Sequence, residues 1–422
     1  MNAIERNNNE VKVSGDFRDG DLPKLLAFIH HAVDKAKYSE LVLDFSACER
    51  TFPTPMVGLC SQALAYQDSG ITFSLKLPEK KNINSLFSNT GWAYLIDPLR
   101  NDQPTTRSYK NLPTTRYQTS GEQGAVVNEM IDTMYGAVGD LDREDFNAVE
   151  WSINEITDNV LNHSNSRIGG LVHVFTQANN KRLQFIVADA GRGIPATLRD
   201  FDPKIPDDIE ALQNAIKEGY TSKPDDNQGN GLYGSYRVCS VSGGSFRILS
   251  GHAVLTHYYE PRHKKPVTRF SNSSIPFSGT LVSAEIDYSV PNLVATALDF
   301  GGQVHYPVGR VELRYELEEK DEYRFIISEE TRSYGNRSSG EFVRNKLLNL
   351  SRTEQNPRII IDLRGIPIIS SSFADEAFAK LFLEVGPLRF NQIFQMINME
   401  STVEQLINRA ITQRMQAGSR TR

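Results

Sequence analysis

Residues Trp151–Ser164 read WSINEITDNVLNHS, and the fold turns on how that stretch is understood. As a helix extended back to Phe146, it lines up Phe146, Val149, Ile153, Ile156 and Val160 on one face, spaced 3, 4, 3, 4. Its other face carries Glu155, Asn159, Asn162 and His163. A solvated helix face usually carries Lys and Glu, whereas Asn lowers helix propensity. A carboxylate and two carboxamides facing the same way therefore suggest a ligand. Alone, the stretch also fits an ordinary amphipathic surface helix. Two glycine-bearing boxes downstream shift the balance: VADAGRGIP (Val187–Pro195) and GNGLYG (Gly229–Gly234).

The first box follows an alternating run, Arg182 to Val187, which predicts a strand entering a core. Asp189 at the strand's end can accept a hydrogen bond from an exocyclic amine. Gly191 and Gly193 let the backbone turn sharply and approach a flat base. The second box follows a polar segment, Thr221 to Gln228, and opens a helix expected over Leu232–Val241. Glycines ahead of a helix start leave outward N–H groups suited to phosphate. A lone G-x-G is commonly a turn. The order counts for more: helix with E-x-x-x-N, strand with D-x-G-x-G, flexible segment, G-x-G-L, helix, then a strand with Gly279 and Thr280.

With these motifs in this order, residues 124–288 resemble the Bergerat-fold (GHKL) ATPases, which include gyrase, the heat-shock chaperones, histidine kinases and mismatch-repair ATPases. Glu155, Asn159 and the histidine four residues on, His163, are most similar to the anti-sigma-factor serine kinases. The resemblance implies a two-layer α/β sandwich binding ATP and Mg2+. It implies that Asn159 coordinates the metal and that Glu155 orients or deprotonates the attacking nucleophile. Asp189 would read the adenine amine, with Gly191 and Gly193 shaping the base pocket and Thr280 near the adenine. Gly229, Asn230 and Gly231, followed by Leu232, would cap the phosphates, the Thr221–Gly231 segment closing as a lid. His163 has two readings, contact with the nucleotide or a favourable charge at the helix end. Tyr233 departs from the family, which often has a glycine there. No Walker-type loop is present, which excludes a P-loop NTPase. None of the eight histidines is followed by an acid, against a histidine kinase.

At 422 residues the chain has room for two to four domains. A net charge of −6, from 46 basic and 52 acidic residues, gives no electrostatic reason to expect a nucleic-acid partner. Cys48, Cys60 and Cys239 are too scattered for a disulfide framework or a zinc knuckle. With no apolar run long enough to span a bilayer, a soluble, cytoplasmic protein without a membrane partner is expected.

The expected class is α/β (α+β), in four parts: 1–99, a linker over 100–123, the ATPase-like 124–288, and 310–422. In the first, helices are expected over 22–37, 56–66 and 84–95, with strands over 41–45 and 71–77. In the last, strand Arg358–Leu363 leads into GIPIISSSFADEAFAKLFLEV, then strand Ile393–Ile397 and helix Thr402–Met415. A strand ending in Asp, a turn and a helix thus occur at both ends. Both resemble STAS domains, the fold of anti-sigma-factor antagonists, as a weak internal repeat. His252–Ser278, with its basic run RHKKPVTR, reads as an inserted solvated loop, a docking hairpin being the alternative.

By that resemblance, Ser371 falls on the serine that a cognate kinase phosphorylates. A phosphate there would meet free N–H groups at a helix start, while serine is also a preferred N-cap in its own right. The N-terminal counterpart, Phe52–Pro55, lacks serine. The expectation is an ATP-binding switch that acts on a protein partner through its STAS-like parts, with a homodimer compatible. Two other readings stand beside it: a protein serine kinase, and a scaffold that binds ATP without turning it over.

Overall fold

The computed structural model describes residues 3–104, 111–139, 141–220, 230–260, 262, 265–307, 315–317, 320–331, 333–353 and 357–419. It is a mixed α/β chain that divides into two compact units. One comprises Met1–Met130, Trp151–Gln177 and Lys181–His305; the other comprises Ile131–Glu150, Ala178–Asn180 and Tyr306–Arg422. No helix among the described residues is long and apolar enough to cross a membrane.

Among the described residues the first unit holds two five-stranded sheets and one two-stranded ribbon, Asp299–Phe300 with Gln303–Val304. In the N-terminal sheet, Ala3–Asn7 pairs antiparallel with Glu10–Phe17, which runs parallel to Glu40–Asp44, itself parallel to Thr72–Lys76. Helix Leu22–His30, continued by a π turn over His31–Lys35, buries Leu22, Leu25, Leu26 and Ile29. Helix Pro53–Asp68 buries every residue from Thr54 to Ala63. A helix buried all round lies between two layers, and here the second layer is the other sheet. Its strands run in the order Asn111–Tyr117, Gly170–Gln177, Arg182–Asp189, Lys265–Asp287, Ser245–Glu260, each antiparallel to its neighbour. Leu171, Ile186, Ala188, Leu249 and Leu281 of this sheet join Met56, Leu59 and Phe45 in a single core. Polar bonds fix the register between the layers. Gln62 Nε2 donates to Ser278 O (2.8 Å) and Trp92 Nε1 to Thr114 Oγ1 (2.9 Å).

Three expectations need correction. The stretch expected as linker contains strand Asn111–Tyr117 and the start of helix Ser120–Ala137; its residues 105–110 lie outside the described ones. Pro113 sits where the pairing with Gly170–Gln177 shifts register, between Leu112 and Thr115, which hides the alternation. Buried Thr114 also looks like a loop residue until its hydroxyl is seen against Trp92 and, at 3.2 Å, His173 Nδ1. The expected loop over 252–278 is instead the outer part of a long hairpin, paired from Lys265↔Glu260 inward. Of its basic run, His263 and Lys264 lie outside the described residues. Finally, the helix expected over 84–95 is two, Lys81–Asn89 and Trp92–Ile96, separated where Gly91 takes φ +78°.

The second unit repeats the order of the N-terminal elements. Glu316–Leu317 pairs antiparallel with Lys320–Ile326, which runs parallel to Arg358–Asp362 and that to Phe394–Ile397. Helices Arg337–Leu350 and Ser371–Val385, the latter with a π turn over Asp375–Ala379, fill the crossovers. Strands Glu40–Asp44 and Arg358–Asp362 share one burial pattern. In each, the terminal Asp accepts a backbone N–H two residues on, from Ser46 (2.9 Å) and Arg364 (3.1 Å).

Residues Ile131–Glu150 complete this unit. Asn349 Nδ2 donates to Tyr135 O (2.9 Å) and Val138 O (2.6 Å), and Asn345 Nδ2 to Gly136 O (3.0 Å). Carbonyls left open at the end of helix Ser120–Ala137 are thereby satisfied. Wholly buried Lys346 bonds to both Asp132 and Glu330, its ammonium 4.6 Å from the Phe342 ring centre.

Two substitutions test these packings by urea unfolding. A Cβ at Gly58 would stand 2.7 Å from Leu22 and 2.9 Å from Leu281, so Gly58→Val is expected to cost about 1–3 kcal/mol. Lys346→Ala strands two buried carboxylates and is expected to cost about 3–5 kcal/mol.

Candidate functional site

Helix Arg143–His163 buries Phe146, Val149, Ile153, Ile156 and Val160, the face expected. Four apart on another face stand Trp151, Glu155, Asn159 and His163, and all four line a cavity of about 400 Å³. Asn162 does not join them: it is exposed and donates to Asp158 Oδ2 (2.6 Å). Asp158 lines the cavity instead.

Strand alternation supplies the opposite wall. Ile186, Ala188 and Leu281 point into the core shared with the N-terminal helices. Their neighbours Val187, Asp189, Thr280 and Val282 must then point the other way, and they line the cavity. Asp189 is 3% exposed. Its Oδ1 accepts from Gly191 N (2.7 Å) and its Oδ2 from Thr280 N (3.2 Å). Burial raises its carboxyl to about 7, outweighing the two N–H donors that pull it down. Glu155 is raised too, by burial first and by the Asp158 charge second.

The glycines act at close range. Gly193, at φ +77°, opens helix Gly193–Phe201, and a Cβ there would stand 2.7 Å from Ser250 Oγ and 2.8 Å from Gly279 O. Gly191 does not line the cavity; it presses the turn after Asp189 onto Ser164, whose carbonyl accepts from Arg192 N (2.8 Å). Gly231 starts helix Gly231–Val241 so close to Glu155 that any side chain would collide with its carboxylate. Asn230 and Leu232 also line the cavity, and Asn230 Oδ1 accepts from Gly219 N (3.0 Å). Of the Thr221–Gly231 segment expected as a lid, residues 221–229 lie outside the described ones.

Sequence reasoning missed the aromatic end of the cavity. Trp151 packs against Gly234, and its ring centre lies 6.2 Å from that of Phe300 and 6.0 Å from that of His305. Trp151 was legible, one turn before Glu155 in the same register. Phe300 and His305 fall between the parts expected over 124–288 and 310–422.

Ser371 is in the second unit. Ser370 is the helix cap, accepting from Phe373 N (3.0 Å), and Ser371 is exposed. The strand ahead ends in wholly buried Asp362, which accepts from Arg324 (2.7 Å), Arg364 Nε (2.8 Å) and Asn398 (2.9 Å). Burial would raise this carboxyl, but its donors together hold it far below the usual carboxylate range. Residues 339–404 match the family described as STAS-like domain of unknown function (DUF4325). This part of the chain is a STAS-like domain. It contains Ser371 and Asp362, and the match begins after every residue lining the cavity. No curated protein matches the chain.

The raised Asp189 carboxyl has a signature in stability. An unfolded aspartate titrates near 4, so between about 4 and 7 the folded chain binds more protons, and stability falls as pH rises. His173, held neutral by burial down to about 4, acts in the opposite sense. The difference between wild type and Asp189→Asn isolates the aspartate. From pH 5 to 8 the variant is expected to gain about 2 kcal/mol relative to wild type in urea unfolding; a constant difference would place the Asp189 carboxyl in the ordinary range.

Proposed function

We propose that the cavity binds ATP with Mg2+ and hydrolyses it, and that the protein is a nucleotide-controlled switch acting on a protein partner through its STAS-like domain. One observation carries this reading: the Glu155–Asn159–His163 stripe, the Asp189 carboxylate and the start of helix Gly231–Val241 line one cavity. The motifs that supply these residues resemble those of the Bergerat-fold ATPases, and the antiparallel sheet with its cavity-side helix supports the reading.

The residues present fit the nucleotide. Each Asp189 oxygen accepts one N–H, and a carboxylate oxygen has a second lone pair, so an exocyclic amine can still be bound. Gly231 keeps the helix start clear for phosphate. Mg·ATP supplies the transferable phosphoryl group and the metal's charge. Asn159 holds the metal, which needs few protein ligands when it keeps its waters. Glu155, desolvated and beside Asp158, orients and polarises the attacking water.

A second reading, a protein serine kinase, is favoured by Ser371. With Ser370 already capping the helix, the exposed Ser371 hydroxyl is not needed for the fold. Transfer to protein separates this from hydrolysis, and absence of turnover separates both from an ATP-binding scaffold.

Asp189→Asn is expected to weaken ATP binding roughly ten- to a hundredfold by calorimetry, the loss of a charge-assisted hydrogen bond of about 1.5–3 kcal/mol. Glu155→Ala is expected to keep binding and lose turnover, while Asn159→Ala weakens Mg·ATP binding itself. Hydrolysis at the wild-type rate in both would refute the roles given to Glu155 and Asn159, and with them this cavity as the site of hydrolysis.

A further inference from the structure

Tyr220 lines the cavity, and its phenol oxygen is buried with no hydrogen bond among the described residues. Buried polar atoms in native proteins are nearly always paired, so an exception needs a cause. Asn214 stands nearby, but its side-chain oxygen already accepts from Lys217 Nζ (2.6 Å). Burial first, and the Asp202 charge second, raise the phenol above its ordinary value. At neutral pH the hydroxyl therefore keeps its proton and is a donor lacking an acceptor.

Packing fixes where that donor stands. Tyr220 N donates to Lys217 O (3.3 Å), and one residue back Gly219 N donates to Asn230 Oδ1 (3.0 Å). Tyr220 packs on the small core of Leu198, Ile205, Ala211 and Ala215, on which Ile194 and Leu232 also pack. Ile194 follows Gly193, which meets Gly279, and Gly279 meets Asp189. Leu232 follows Gly231, at the helix start beside Glu155. Tyr220 thus shares its support with one neighbour of the Asp189 wall and one of the Gly231 helix start. On the proposed ATP reading, on which this inference rests, the base lies at the first and the phosphates at the second. The group between base and phosphates is the ribose, whose hydroxyl oxygens accept hydrogen bonds.

We propose that the Tyr220 hydroxyl donates to a ribose hydroxyl of the bound nucleotide, so that Tyr220 distinguishes a ribonucleotide from its deoxy form. A ligand that brings the acceptor relieves a donor already stripped of water, whereas one without it leaves that donor buried and unpaired. A site built to bond a ligand hydroxyl rejects the analogue lacking it for this reason. In the free protein the same oxygen contributes no bond. Removing it therefore lowers affinity without lowering stability, a combination that a hydroxyl with a structural role would not give.

The test uses the full-length protein with Mg2+ and three nucleotides, ATP, 2′-deoxy-ATP and 3′-deoxy-ATP, by calorimetry. The wild type is expected to bind one of the two deoxy forms about tenfold more weakly than ATP. Tyr220→Phe is expected to bind ATP about as weakly as the wild type binds that deoxy form, and to bind the two alike. Its urea midpoint without nucleotide is expected to equal or exceed that of the wild type. Unchanged ATP affinity in Tyr220→Phe, no deoxy penalty in the wild type, a deoxy penalty that survives in the variant, or a lowered nucleotide-free midpoint would each overturn this inference and leave the ATP reading standing. Absence of ATP binding to the wild type would overturn both.

Discussion

Along the strand Arg182–Asp189, Ile186 and Ala188 enter the core built with the N-terminal helices, while Val187 and Asp189 enter the cavity. Alternation of side chains forces this division, and a slip of one residue would exchange the two sets. The strand is held on both edges, by Gly170–Gln177 and by Lys265–Asp287. A carboxylate can be buried at its end only because the backbone comes to it. Gly191 N and Thr280 N supply donors, and a side chain at Gly279 would collide with Asp189 itself. The cavity therefore depends on a layer that never touches it. Whatever fixes Ile186 and Ala188 fixes Asp189.

That layer is the N-terminal one, which gives an element order shared with the C-terminal unit an unexpected use. Thr54, at the start of helix Pro53–Asp68, is buried and bonded to Ser283 Oγ (3.2 Å). The corresponding helix start in the C-terminal unit presents an exposed serine, whereas this one is spent on packing. A helix with both sides in apolar contact cannot be lifted from the sheet without exposing both. The N-terminal layer is thus part of the cavity's foundation.

What the sequence revealed, and what it hid, follows from how each element is buried. The helix over Trp151–Ser164 has one apolar face and one polar face, so its period and its Glu155–Asn159–His163 stripe could be read directly. Strand Arg182–Asp189 was legible from its alternating start and its terminal Asp. Strand Asn111–Tyr117 was not, because a proline shifts its register and its inward positions include a threonine whose hydroxyl is satisfied from other elements. The Phe300–His305 wall left no pattern at all. Its strands are two residues each, Asp299–Phe300 and Gln303–Val304, too short for any period, and its place is set by their pairing, the bond from His305 N to Leu298 O and ring contacts with Trp151 and Tyr233. Asn162 misled in the other direction, since a polar residue one step from a functional stripe has the same composition and a different neighbour.

The C-terminal helix start shows how neighbours set the electrostatic cost of a charge. Asp375 and Glu376 follow Ser371 within a turn and, as bare carboxylates, would oppose a phosphate there. In the folded domain neither is bare. Arg414 grips Asp375 through two bonds (2.6 and 2.7 Å), and Glu376 is held by Arg344 (2.8 Å) and Lys380 (2.6 Å). Both carboxyls are lowered accordingly, Asp375 chiefly by Arg414, while at Glu376 the Lys380 and Arg344 contacts outweigh burial. What remains at the helix start is the field of its own N–H groups, which favours an anion. Ser370 uses one of those groups, from Phe373. The helix start is thus capped in the unmodified state and still receptive to negative charge, two properties that a lone capping serine could not combine.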